Sequence, residues 1–134
     1  MMKHVRTMGT QFGIAFADHS LLSNSRPALQ AAEFAREQGK FQAFHASLFS
    51  SYFSQGLDIG SLDVLSQIAG DSGLDGSAMV SAIKSGKYLP HLEKAKEDAA
   101  RRGVTGVPAF FIGDNKSIMG AQSLDVFRKT LRSR

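Results

Sequence analysis

The sequence of 134 residues contains no cysteine, no tryptophan and only three prolines. Without a thiol, the chain forms no disulfide, offers no thiolate to a metal and performs no thiol redox chemistry by itself. It has no apolar run near the roughly 20 residues that a membrane-spanning helix needs, and no apolar segment follows its basic N-terminus as in a secretory signal. We therefore expect a cytoplasmic protein without a membrane partner.

The length and composition indicate one globular domain over residues 1–134. Hydrophobic residues make up 43% of the chain and charged residues 21%, which is enough apolar material for a single buried core. The net charge is +4, and part of the excess lies in the C-terminal segment that ends at Arg134. Because acidic residues are interspersed among the other basic ones, we expect a solvated helix face there and no nucleic-acid partner.

The side chains that often carry chemistry show no metal-binding pattern. The four histidines lack the spacing of metal ligands, and we expect neither a metal site nor a cofactor. His45 lies in a phenylalanine-rich segment and is predicted to be a partly buried structural side chain. A phenylalanine stripe in that segment is predicted to belong to the core, with the floor of an apolar ligand groove as the alternative. The stripe consists of Phe41, Phe44, Phe49 and Phe53.

Residues 24–103 are predicted to form five helices, because apolar residues recur there at helical spacing between stop signals. Ser25 can cap the first helix, and Pro27 suits its first turn. Ser61 and Asp75 open two short helices. Glycines predict the five helix ends, at positions 39, 56, 73, 86 and 103.

After the last of these helices the pattern changes from helix to strand. A proline cannot donate to a sheet ladder, so Pro108 must occupy the first position of a strand or lie just before it. The bond between Val107 and Pro108 is the candidate for a cis peptide. The run 108–112 predicts a strand that is buried on both faces, and 117–119 predicts a second strand that pairs with it as a hairpin. A last amphipathic helix follows, with the apolar stripe Leu124, Phe127 and Leu131.

The sequence predicts too few strands to pair with this hairpin. An isolated two-stranded hairpin is marginally stable in water, and the run Ala109–Ile112 needs cover and strand neighbours. We therefore expect two copies of the chain to form a homodimer that buries an exposed sheet edge or an apolar face.

Four motifs in order carry a family resemblance: Asn24–Lys40, Phe44–Phe49, Gly103–Pro108 and Gly120–Gln122. Together they resemble the DsbA-like thioredoxin-fold family, and within it the branch of FrnE-type predicted dithiol-disulfide isomerases. A sister branch contains the 2-hydroxychromene-2-carboxylate isomerases and kappa-type glutathione transferases, and it usually carries a Trp-Gly after the hairpin. The absence of tryptophan here favours the FrnE-type branch.

The resemblance implies an α/β thioredoxin fold with an all-helical insertion. On this scheme residues 1–23 form a lead-in segment, residues 24–103 the helical insertion, and residues 104–134 the C-terminal hairpin plus helix. The first strand, the Cys-x-x-Cys helix and the second strand of the family do not precede these segments in the sequence. We therefore expect a truncated, mostly helical form with a C-terminal β-hairpin.

The resemblance also implies a site, with no catalytic residue in this chain. In the family, the residue before the cis-proline pairs its main chain with an extended substrate peptide. By position, the substrate-binding residues are Thr105, Gly106, Val107 and Pro108, and the expected partner is an extended peptide or thiol substrate. Without the dithiol, this thiol-disulfide oxidoreductase relative is expected to be redox-inactive by itself. The alternatives are a non-enzymatic binding or dimerisation module and a protein like those of the sister branch.

Overall fold

The computed structural model describes residues 2–133; Met1 and Arg134, the two ends of the predicted domain, lie outside the described residues. Contacts divide the chain into a helical unit that ends at Leu92 and a C-terminal unit that begins at Glu93. The described elements, in order, are α1 (Met2–Thr10), α2 (Arg26–Glu37), α3 (Phe41–Phe49), a π-helical turn (Ser50–Ser54), α4 (Leu62–Asp71), α5 (Gly76–Lys84), α6 (Leu89–Arg101), β1 (Ala109–Ile112), β2 (Lys116–Met119) and α7 (Leu124–Arg132).

The five predicted helices of residues 24–103 are confirmed as α2 to α6. These helices differ in whether a side chain caps the N-terminus. Ser61 and Asp75 are N-caps whose side-chain oxygens accept hydrogen bonds from the first turns of α4 and α5, which satisfies amide groups that have no partner within the helix. Ser25 occupies the N-cap position of α2, but its side chain makes no capping hydrogen bond.

The core of the helical unit is built from α2, α3, α4 and α5. Small side chains on one side of α2 let the neighbouring helices approach closely; these are Ala28, Ala31 and Ala35. The largest fully buried side chains of the core are those of Phe44, Leu65 and Met79. A polar contact holds the end of α2 to the segment before α6, because the Glu37 carboxylate accepts hydrogen bonds from Lys87 Nζ at 2.7 Å and from the Tyr88 hydroxyl at 2.8 Å.

The predicted phenylalanine stripe divides between two faces of α3. Phe44 is fully buried in the core, whereas Phe49 is 50% exposed. The prediction that Phe49 belongs to the core is therefore wrong. Five residues along an α-helix correspond to a rotation of about 140° from one side chain to the other, so these two rings cannot face the same way. His45 is partly buried, as predicted.

The C-terminal unit contains an antiparallel hairpin, with Ala109 opposite Met119 and Ile112 opposite Lys116. The Phe110 ring packs edge-on against Phe127 of α7, with the ring centroids 4.9 Å apart. Lys116 Nζ donates to backbone carbonyls at the C-terminal end of α7. The helices, the hairpin and the last helix confirm the predicted mostly helical α/β class.

The prediction that the first strand of the hairpin is buried on both faces is wrong. Phe110 and Phe111 are 39% and 40% exposed, so β1 is not buried on both faces. A sheet of two strands offers too little surface to cover both faces of a strand. On α7, Phe127 of the predicted stripe packs against Phe110 of the hairpin, whereas Leu124 and Leu131 are mostly exposed. None of the described helices is long and apolar enough to cross a bilayer.

Candidate functional site

The predicted binding loop begins where α6 ends. Gly103 has a φ of +72°, in the left-handed region that glycine adopts without a steric penalty. Its N–H donates to the Ala100 carbonyl at 3.0 Å, and the Val104 N–H donates to the Ala99 carbonyl at 3.0 Å. These two bonds satisfy carbonyls in the last turn and direct the chain away from the helix axis.

Thr105, Gly106 and Val107 then form an exposed bend. The Val107 side chain is 87% exposed, and no hydrogen bond joins the backbone of these three residues to another described residue. A Cβ atom added to Gly106 would meet nothing within 4 Å. The peptide bond between Val107 and Pro108 is cis. The structure thus brings the four predicted site residues into one bend, and three of them, Thr105, Gly106 and Val107, have main-chain groups without a hydrogen-bond partner among the described residues.

The hairpin register extends this set of unpaired groups. Gly120 N–H donates to the Pro108 carbonyl at 2.7 Å, so this pair is a hydrogen-bonded one. In an antiparallel ladder, hydrogen-bonded and non-hydrogen-bonded pairs alternate. With the observed register, Phe110 pairs with Ile118 through hydrogen bonds, whereas the N–H and C=O groups of Ala109 and Phe111 point away from β2. Among the described residues no third strand pairs with this edge.

Aromatic side chains flank the edge on both faces of the hairpin. Phe110 lies on the face that packs against α7. Phe111 lies on the opposite face, where the guanidinium carbon of Arg102 is 5.2 Å from its ring centroid. Both rings are partly exposed. A strand added to this edge would therefore find an apolar ring on either face of the sheet.

The bend itself carries no ionisable side chain, and the shifted pKa values belong to groups of the helical unit. The hydrogen bond from Lys87 lowers the pKa of the Glu37 carboxyl group and raises the pKa of the Lys87 ammonium group. Burial, and then the hydrogen bond to Glu37, raises the pKa of Tyr88. The hydrogen bond from Arg6 lowers the pKa of Asp18. Across residues 2–133 no three histidine or acidic side chains are grouped so that they could hold a metal ion.

The sequence reasoning missed two features. It did not identify Ala109 and Phe111 as edge residues, although the alternation that follows Pro108 is the signal that would have found them. It also did not predict the π-helical turn Ser50–Ser54. The signal for this turn in the sequence is weak, because a π-helical segment of a single turn barely alters the apolar pattern of the α-helix that contains it.

The comparisons with known proteins agree on one family. The family described as DSBA-like thioredoxin domain matches residues 1–132. The chain is 33% identical over 105 residues to the uncharacterized protein YwbO of Bacillus subtilis (strain 168), a match that covers 78% of this chain and 52% of the relative. It is 31% identical over 101 residues to the 2-hydroxychromene-2-carboxylate isomerase of Sphingobium xenophagum, covering 75% of this chain and 51% of the relative. The chain thus spans about half the length of these curated relatives.

Proposed function

The chain belongs to the DSBA-like thioredoxin domain family, and on that premise we propose that it binds an extended peptide along the bend 105–108 and the outer edge of β1. Recognition by strand addition uses main-chain hydrogen bonds for affinity and alternate side chains for selectivity. The substrate-binding residues of the proposal are Thr105, Gly106, Val107 and Pro108, continued by the edge groups of Ala109 and Phe111.

One observation carries the proposal. The main-chain groups of Thr105, Gly106 and Val107 have no hydrogen-bond partner among the described residues, and those of Ala109 and Phe111 face away from β2. An exposed strand edge of this kind is a template for another extended chain. The half-exposed rings of Phe110 and Phe111 supply apolar contact on the two faces of the added strand.

The proposal includes no redox step by this chain. Thiol–disulfide exchange begins with attack by a thiolate, and the sequence contains no cysteine. The function is therefore peptide binding within a thiol-disulfide oxidoreductase family. An insulin-reduction assay with dithiothreitol tests this part: we expect no turnover above the dithiothreitol background, and turnover above it contradicts the proposal.

A further part of the proposal concerns the cellular location, the family branch and the association of this chain. We propose that it acts in the cytoplasm as a single domain of the FrnE-type branch and that two copies associate through the β1 edge or an apolar face. A second copy at the β1 edge would compete with the peptide for the same main-chain groups, whereas association through an apolar face would leave them free. The support for association is the unpaired edge together with the exposed leucines Leu124 and Leu131 on α7. Light scattering that shows only monomer at micromolar concentration contradicts the dimer and leaves the peptide site untouched.

A second candidate function follows from one relative. The 31% identity to a 2-hydroxychromene-2-carboxylate isomerase favours an isomerase of that kind as the alternative to peptide binding. Two assays separate the candidates. Isomerisation of 2-hydroxychromene-2-carboxylate by the purified chain supports the alternative, and binding of a cysteine-free extended peptide supports strand addition.

The edge can be tested with one main-chain donor. Ala109→Pro removes an N–H that points away from β2, and proline is tolerated on the outer side of an edge strand. We expect this change to weaken binding of a capped, alternating valine–threonine peptide by about 2- to 12-fold, the value of one net hydrogen bond.

Ala109→Val is the matched control, because it keeps the N–H and favours strand geometry. It should bind the peptide as the unaltered chain does. The same peptide with alternate amides N-methylated should not bind. Equal binding of the methylated peptide, or equal binding by Ala109→Pro and Ala109→Val, contradicts strand addition at this edge.

A further inference from the structure

The helical unit carries a row of aromatic rings in contact with one another outside its core. Phe41, His45, Phe49 and Phe53 follow one another at intervals of four residues along α3 and the π-helical turn. Their successive ring centroids are 5.0, 4.4 and 5.5 Å apart. These distances lie in the range at which aromatic pairs attract each other. The row is therefore a continuous aromatic surface, and half of Phe49 is exposed.

In the π-helical turn, the rings of Tyr52 and Phe53 contact the chain before α2. The Tyr52 ring stacks on His19 with the centroids 4.5 Å apart, and the Phe53 ring meets Phe16 edge-on at 5.9 Å. The Phe53 carbonyl accepts a hydrogen bond of 2.7 Å from the Ala17 N–H. π-helical turns are rare, and they are found frequently at functional sites. Here the turn fixes the segment before α2 against two aromatic rings.

Two cavities open beside these rings. One, of about 320 Å³, lies between α2, α3 and the π-helical turn. The other, of about 500 Å³, lies towards α1. Both are lined by Leu22, Tyr52 and Phe53. Because an apolar cavity of about 150 Å³ is enough to bind benzene, the smaller cavity has room for a molecule with two fused rings.

His45 gives the smaller cavity a polar group without a protein partner. Its ring lies between those of Phe41 and Phe49 and lines the cavity, and it makes no hydrogen bond to another described residue. Ligand sites commonly combine apolar walls with a few polar groups that orient the ligand. An imidazole held between two rings meets that description.

We propose that the smaller cavity binds a small planar aromatic molecule of two fused rings that carries one hydroxyl group. The rings of the ligand pack against Phe49, Tyr52 and the exposed Leu29 side chain at the rim, and the hydroxyl group bonds a nitrogen of His45. The site lies wholly in the helical unit, so it does not rest on the peptide site at β1.

Naphthol is the probe, and methylnaphthalene is its matched partner, because the two differ by a hydroxyl group in place of a methyl group. Titration of the full chain, followed by amide NMR shifts, should show naphthol binding with the largest shifts on α3 and the π-helical turn. One hydrogen bond to His45 makes naphthol bind about fivefold more tightly than methylnaphthalene.

Three variants test the assignment. His45→Phe keeps the ring stack and removes the hydrogen bond, so it should abolish the preference for naphthol. Phe49→Ser and Leu29→Ser should weaken both probes at least fivefold, and since both side chains are about half exposed, the fold should survive, as circular dichroism will show. Met8→Ser is the control: this side chain is 49% exposed, close to the exposed fractions of Leu29 and Phe49, and it lines neither cavity.

Several results overturn the proposal. These are no binding of either probe up to the solubility limit, shifts centred outside α3 and the π-helical turn, or equal weakening by Met8→Ser and Leu29→Ser. A naphthol preference that survives in His45→Phe overturns the role of His45. Binding that disappears as protein concentration rises and dimers form shows instead that a second copy occupies the cavity.

Discussion

Replacing each of two phenylalanines of α3 by alanine tests how the helical unit is built. Phe44→Ala removes a ring that is fully buried in the core, whereas Phe49→Ala removes a ring that is half exposed. The first change should cost about 3–5 kcal/mol of unfolding free energy, from lost transfer energy and a residual cavity. The second should cost about 1–2 kcal/mol, from half of the burial energy and the ring contacts to its neighbours.

The difference is large compared with the total stability of a domain, which is about 5–15 kcal/mol. Urea denaturation followed by far-ultraviolet circular dichroism measures it, since the chain has no tryptophan to report by fluorescence. The denaturant slope should stay the same in both variants. Equal destabilisation by the two substitutions, or a greater loss from Phe49→Ala, refutes the assignment of the two faces of α3.

Three further predictions use the same denaturation measurement, and the first two compare matched positions. Gly76→Ala places a Cβ 2.7 Å from a backbone carbonyl of α4 and should lower the free energy of unfolding by about 1–3 kcal/mol. Gly70→Ala meets open space and should raise the free energy of unfolding by about 0.5–1 kcal/mol. The reverse order of stabilities contradicts the packing of α4 on α5. Asp75→Ala removes the side chain that caps α5 and should lower the free energy of unfolding by about 1 kcal/mol. The Ser25 side chain makes no capping hydrogen bond, so Ser25→Ala should lower it far less. Equal losses contradict the assigned caps. Glu37 has a lowered pKa in the folded state, so its contribution to stability is present above the ordinary glutamate pKa and is lost as the pH falls through the folded pKa. Glu37→Gln should therefore destabilise the protein near neutral pH and have no effect in strong acid. An effect that does not change with pH contradicts the ion pair.

The helix boundaries could be predicted because local chemistry determines them. Ser61 and Asp75 cap helices with their own side chains, and Gly103 ends α6 through a conformation that glycine favours. Pro108 marked the start of β1 because its missing N–H excludes it from a ladder interior. These signals act within a few residues, so the sequence shows them directly.

Burial could not be predicted in the same way, because it depends on what packs against each face. The run Ala109–Ile112 has the composition of a doubly buried strand, but β2 is the one strand that pairs with it among the described residues, and Phe110 and Phe111 stay partly exposed. The Phe41–Phe53 segment predicts one buried stripe, although Phe49 faces away from the core. The single domain and the site residues of the bend stay predictions.

Amide hydrogen exchange along β1 tests the central claim most directly. Without peptide, the amides of Ala109 and Phe111 should exchange rapidly, whereas those of Phe110 and Ile118 should be protected by their mutual hydrogen bonds. Addition of the alternating valine–threonine peptide should protect Ala109 and Phe111 and leave Phe110 and Ile118 as they were. Unchanged exchange at Ala109 and Phe111 with the peptide bound would contradict recognition by strand addition.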